Sequence, residues 1–231
     1  MGLVVVGEEY CAEGERELTV RKTSVFYPGD GFAAFDHQSG DLVFRVDTYA
    51  HRAPALAEQQ QLVLMDPHGA AILTLRRKWP SLHQRWEGFL GERNEGQKPL
   101  FTVRRSSIFG GDRGSVTAEV HQGVDPATGE ADYRIEGCFA HRCCRMLYEG
   151  VEGEVVVAVI QRKVDACTHV VMGKDVFSLT LTPRFDAAFA MGLVLVLDQI
   201  TGDDEGDDQD YSASTPLEEH HNAGSAINAD D

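Results

Sequence analysis

The sequence predicts a mainly β protein, with about twelve short antiparallel strands forming a sandwich or a barrel and one apolar helix near the C-terminus. Three observations carry this reading. Apolar and polar residues alternate with period two along many short runs, the pattern of strands buried on one face. Gly, Pro, Asn and Asp gather between those runs, where turns need them. Residues 187–197 contain no polar side chain at all.

The strands follow in chain order. The first two centre near Val20 and Ala34, and a third runs through Leu42, Phe44 and Val46. His37-Gln38-Ser39-Gly40-Asp41 joins the second and third as a hairpin. The fourth and fifth centre near Leu64 and Leu73, and Asp66-Pro67-His68-Gly69 joins them. There Pro presets φ and Gly supplies a positive φ. Further strands centre near Trp86, Val103, Ala118, Ile135, Met146, Val157 and Leu179. Gly110–Gly114 and Asp125–Gly129 read as turns between them. The regular spacing, without intervening helical patterns, excludes βαβ units.

The closing segment differs. Asp186 is suited to cap a helix and Gly202 to stop one. Between them lie Phe189, Leu193, Leu195 and Leu197, marking a helix over 186–200 that is apolar on every side and must be buried. A strand over Leu193–Leu197 is the alternative, because short apolar runs fit both periods. The segment falls short of the ~20 apolar residues that span a bilayer. Twelve strands ~4.8 Å apart and tilted ~40° would close on a radius of about 12 Å. That leaves a hole near 14 Å wide once side chains are subtracted. A helix ~10–12 Å across would fill it.

Composition narrows the function. The chain has 231 residues and a net charge of −16. Ten of its acidic residues lie between Gly202 and Asp231, a stretch with no Lys or Arg. Such a balance excludes nucleic acid as the main partner. No signal-peptide pattern opens the chain. The five cysteines are odd in number and irregularly spaced, which points to reduced thiols and a cytoplasmic location, with nucleus or peripheral membrane as alternatives.

The hairpin Gly31-Phe32-Ala33-Ala34-Phe35-Asp36 to Gly40-Asp41-Leu42-Val43-Phe44-Arg45-Val46, the turn Met65-Asp66-Pro67-His68-Gly69 leading into Ile72-Leu73, and the terminal segment Asp186–Ile200 together resemble the plant LURP-one-related family. That family belongs to the tubby C-terminal-like superfamily, with the phospholipid scramblases. The resemblance covers residues 15–202 and rests on the order of these features. It implies a twelve-stranded antiparallel β-barrel enclosing a central C-terminal helix. Residues 1–14 then form an N-terminal arm, 15–201 the barrel with its helix at 186–200, and 202–231 a disordered acidic tail. It also implies a link to plant defence and, by analogy with tubby proteins, phosphoinositide binding, although fold alone does not fix function.

Candidate chemistry is sparse. Gly29-Asp30-Gly31-Phe32-Ala33-Ala34 matches a dinucleotide fingerprint in letters only, since Pro28 precedes it and a hairpin pattern follows. Cys138-Phe139-Ala140-His141-Arg142-Cys143-Cys144, with Cys167 and His169 beyond, is the densest group of soft ligands. It lacks the paired short spacing of a zinc site, and Cys143 and Cys144 would point to opposite faces of a strand. No metal or cofactor is expected; a redox role for an exposed thiol is the alternative. The compact basic groups are Arg76-Arg77-Lys78 and Arg104-Arg105. At neighbouring strand ends they could fork onto an anionic headgroup, or simply form a solvated rim. Trp79 and Trp86 read as core or rim aromatics. No nucleophile elbow, phosphate loop or zinc-protease motif is present, so no catalytic residue is named. The expected function is a non-catalytic intracellular binding or scaffold protein with an unknown protein partner. A peripheral protein binding anionic phospholipid is the alternative, and an enzyme with an unrecognised pocket a weaker one.

The segment after Gly202 has too little apolar surface to offset its ordering entropy. A chain ending at Gly202 is expected to melt within a few degrees of the full chain; a large drop in calorimetry would show that the tail docks on the fold.

Overall fold

A computed structural model describes residues 4–23, 31–46, 61–81, 84–105, 116–121, 131–150, 153–165 and 169–210, with the backbone alone at 131–132 and 203–210. The turns expected at Gly110–Gly114 and Asp125–Gly129, Cys167, and the tail beyond 210 lie outside the described residues.

The first six strands are β1 (Arg16–Arg21), β2 (Phe32–Asp36), β3 (Leu42–Val46), β4 (Gln61–Met65), β5 (Ala71–Arg77) and β6 (Trp86–Leu90). The second six are β7 (Phe101–Arg105), β8 (Val116–Val120), β9 (Ala131–Cys138), β10 (Cys143–Gly150), β11 (Gly153–Arg162) and β12 (Val176–Leu181). Each pairs antiparallel with its sequence neighbours, and β1 also pairs with β12, which closes the barrel. All twelve expected strand centres fall inside these strands. The Asp66–Gly69 turn is closed by the Gly69 amide donating to the Asp66 carbonyl at 3.1 Å, with Gly69 at φ +93°. The Asp66 side chain accepts the Ala70 amide at 2.8 Å. A strand, not a helix, follows Gly31, so the helix start that a dinucleotide fingerprint needs is not found there.

The helix α1 (Ala187–Asp210) runs through the barrel. Residues 185–198 are all buried, and Phe189, Leu193 and Leu195 have 0% exposure and Leu197 4%. Phe189 meets Phe101 and Tyr133 edge-on, with centroids 4.9 and 5.0 Å apart. Alternate residues of the strands face it, including Leu73 and Leu75 on β5 and Ile135 and Met146 on β9 and β10. The approach to β5 is close at Gly192, where a Cβ would lie 2.7 Å from a Leu73 methyl. The strand alternative for Leu193–Leu197 is excluded. The helix does pass Gly202, where a stop was expected, and continues to Asp210. One helical glycine costs only about 1 kcal/mol relative to alanine, so a lone Gly with no following Pro is a weak terminator.

Asp186 anchors the helix start. Its Oδ1 accepts the Ala188 and Phe189 amides, both at 3.0 Å, as an N-cap. Its Oδ2 accepts the amides of Val5, Val6 and Gly7 at 3.2, 2.7 and 3.2 Å. One buried carboxylate thus satisfies two helix amides and three of the N-terminal arm. Val5 is packed into the core, and the arm is tied down again where the Arg184 amide donates to the Ala12 carbonyl at 2.7 Å.

Two outcomes follow from this packing. Leu195→Asp places an unpaired charge in the core, and its cost of several kcal/mol rivals a total stability of ~5–15 kcal/mol. Insoluble protein is expected, as it is for deletion of residues 184–202. A soluble deletion mutant with unchanged β circular dichroism would remove the helix from its role as plug. Asp186→Ala orphans the amides at both the helix start and the arm and is expected to lower urea stability by roughly 2–4 kcal/mol; Asp186→Asn, which keeps one acceptor, should recover part of it.

Candidate functional site

The antiparallel order sends the C-terminal ends of the odd strands and the N-terminal ends of the even strands to one end of the barrel. This is the end where α1 emerges, opposite Asp186. It collects Arg76, Arg77 and Lys78 from the end of β5 and Arg104 and Arg105 from the end of β7, with the start of β6 between. Register places Arg77, Trp86 and Val103 in one row and Arg76, Glu87 and Thr102 in the next.

The five basic residues therefore share one end but divide between two faces. Arg77 and Arg105 alternate in phase with the inward Leu75 and Val103, at the rim. Arg76, Lys78 and Arg104 belong to the outer wall. Acidic neighbours there moderate them. Lys78 Nζ lies 2.9 Å from Glu87 Oε1, and Arg104 Nη2 lies 2.5 Å from Glu119 Oε1. The Arg77 guanidinium sits 4.5 Å from the ring centroid of Trp79. Trp79 is 54% exposed, whereas Trp86 is core at 1%. The arrangement is a cationic rim, exposed at Lys78 and Arg104 and half-buried at Arg76, Arg77 and Arg105, with one exposed aromatic beside it.

Barrel closure adds residues that no sequence cluster announces. Lys22 follows β1, and its Nζ lies 3.1 Å from Asp198 Oδ1 on α1. Arg142, in the left-handed region at φ +52°, is buried beside it, its Nη2 3.8 Å from the same carboxylate oxygen. Its Nε donates to the Lys174 carbonyl at 2.8 Å and its Nη1 to the Phe139 carbonyl at 3.3 Å. Its guanidinium stacks over Phe139 and Phe177, 4.1 and 4.7 Å from their centroids. Arg142 is thus committed to holding the helix exit and is a structural cation. Sequence gave one weak signal for it, an Arg in the tight link between two strands.

On the outer wall, Glu17 accepts from Lys163 Nζ and from Ser178 Oγ, both at 2.9 Å. Burial alone would raise the Glu17 pKa, but these two donors outweigh it and hold the carboxyl below its usual range. Lys163 also meets Thr19 Oγ1 at 2.9 Å and His37 Nδ1 at 3.0 Å. This network ties β1, β11 and β12 together.

Among the described residues, no three His, Cys, Asp or Glu side chains converge to hold a metal ion. Cys144 faces the core, while Cys138 and Cys143 are exposed. Cys11 is half-buried, and burial, with the charge of Asp186 next, pushes its thiol up to about 11. No helix among the described residues is long and apolar enough to cross a membrane.

Comparison with known proteins agrees with this architecture. The LURP-one-related family model matches residues 16–198. Protein LURP-one-related 5 of Arabidopsis thaliana is 56% identical over 205 residues, covering 88% of this chain and 91% of that protein. Protein LURP-one-related 12 of the same plant is 53% identical over 209 residues, covering 89% of each. An X-ray structure of a protein from Arabidopsis thaliana superimposes with a TM-score of 0.58 at 24% identity, over 87% of this chain and 99% of that one, and so speaks for the fold alone. With the family model spanning the whole barrel and relatives identical at more than half of the aligned positions, the chain belongs to the LURP-one-related family.

Proposed function

We propose that the protein is a non-catalytic binding or scaffold module that meets its partner on the outside of the barrel. The observation that carries this is the filled interior. A barrel can hold a ligand in its interior where that interior is left hollow, and here α1 occupies it with side chains at or near zero exposure. An intracellular, reducing setting is part of the same reading. It rests on the free thiols of Cys11, Cys138, Cys143 and Cys144, since exposed thiols persist where glutathione keeps them reduced. A role in plant defence belongs to the proposal through the family resemblance.

The second reading is peripheral binding of anionic phospholipid headgroups, favoured by the cationic rim of Arg76, Arg77, Lys78, Arg104 and Arg105 with Trp79 exposed beside it. The outer wall carries charged side chains such as Glu17, Arg104, Glu119 and Arg134, unlike the apolar band of a lipid-embedded barrel. Contact with a membrane would then be electrostatic and made at the rim.

Vesicles containing a phosphoinositide separate the two readings. On the lipid reading, flotation with the full chain falls steeply between low and physiological salt, and Arg76→Ala with Arg104→Ala weakens it several-fold without moving the melting temperature by more than a few degrees. Flotation indifferent to salt and to that pair, or no flotation at low salt, discards the lipid reading and leaves a protein partner.

A further inference from the structure

Cys138 ends β9 and Cys143 opens β10, and the two are register partners across that hairpin. Directly opposed residues of an antiparallel pair point to the same face, with Cα atoms about 4.5–5.5 Å apart. Disulfides form over Cα separations of about 4.4–6.8 Å. The shared face is the outer one, because Ile135 and Met146 are buried in the alternate phase, while Cys138 and Cys143 are exposed. Only Phe139–Arg142 separates the two, as a 3-10 turn closed by the Arg142 amide donating to the Phe139 carbonyl at 2.8 Å. The packing of Arg142 against Phe139, Phe177 and Asp198 fixes that turn.

The neighbouring thiol is of a different kind. Cys144 points into the core at 4% exposure. Its pKa is pushed up to about 12, first by burial and then by the proximity of Cys138 and Cys143. It therefore stays protonated and shielded at neutral pH, whereas the thiolate is the reactive form.

We propose that Cys138 and Cys143 are a reversible oxidation site, a thiol pair that a peroxide converts to a cross-strand disulfide. One thiolate attacks a peroxide oxygen. An S–O bond forms, the O–O bond breaks and, with a proton, water leaves, giving a sulfenic acid. The second thiolate attacks the sulfenic sulfur. The S–S bond forms, the S–O bond breaks and the departing hydroxide takes up a proton as a second water. Two thiols lose two electrons and two protons, and hydrogen peroxide is reduced to two waters. An external thiol reverses the change by disulfide exchange. The new bond closes a covalent ring around the turn that holds Asp198 through Arg142. Oxidation is thereby felt at the barrel end where α1 emerges, the same end that carries the cationic rim.

Trypsin provides the test, because it cleaves after Arg134, Arg142 and Arg145 and so separates Ile135–Arg142 from Cys143–Arg145 unless a disulfide joins them. After treatment of the folded full chain with a small excess of hydrogen peroxide, the joined peptide is expected in the non-reduced digest. Two titratable thiols per chain should be lost, and dithiothreitol should restore them. Cys138→Ser and Cys143→Ser, both exposed and expected to melt like the parent, should each abolish the joined peptide and leave a sulfenic acid that dimedone traps. A joined peptide that survives Cys143→Ser would make Cys144 the partner and overturn the assignment. Separate peptides from the oxidised parent, or disulfide-linked dimers in their place, would overturn it equally.

Discussion

Residues 187–197 offer no polar side chain in any direction, and twelve strands closed on themselves leave a lumen that their own side chains do not fill. Each of these would be untenable alone. A helix of this kind cannot lie on a surface, because an all-apolar cylinder has no side that tolerates water. A barrel of this girth with an empty apolar interior would forfeit the dispersion contacts that its lining needs. Threading one through the other removes both difficulties, and the rest of the fold is arranged around that event. The inward phase of the strands is apolar along the helix, as at Leu18, Leu73, Leu75, Val103, Ile135 and Leu179, and Gly192 keeps the helix close to β5.

The two ends of the plug are held differently. At the start, the Asp186 carboxylate accepts amides from the helix and from an arm that precedes it by about 180 residues, so the N-terminal arm and the helix start meet in one buried hydrogen-bonding centre. At the exit, Asp198 is held by Lys22 and Arg142. Breaking such a partly buried set from one side leaves charge without a partner. The helix is therefore fixed against sliding in both directions by polar groups, while apolar contacts supply the driving force for burial.

A filled interior moves recognition to the outside. The basic strand ends are drawn to one end of the barrel, yet Glu87 and Glu119 sit among them, so the rim is moderately cationic within a chain of net charge −16. The Cys138–Cys143 pair lies at that same end, on the turn that clasps Asp198 through Arg142. Charge, an exposed tryptophan and a thiol pair thus share the region where the helix leaves the barrel.

Twelve strands, two of their hairpins and the buried helix were legible because their causes are local. Period-two alternation, the Pro and Gly of Asp66–Gly69 and the unbroken apolar run at 187–197 act within a few residues of themselves. The same locality made Gly202 look like a stop, when the helix simply carries the glycine at modest cost. Closure was different. That β1 meets β12, that Arg76 and Arg104 share the outer wall while Arg77 and Arg105 turn to the rim, and that Lys22 finds Asp198 all depend on register between distant segments. The opposition of Cys138 and Cys143 depends likewise on where a four-residue turn sets the pairing of β9 with β10. A one-residue slip would send one thiol to the core and leave the other outside. Sequence by itself determined which segments are strands, which is the plug and what each would bury; the tertiary structure alone decided which side chains meet, because strand register and barrel closure are set by the whole ring.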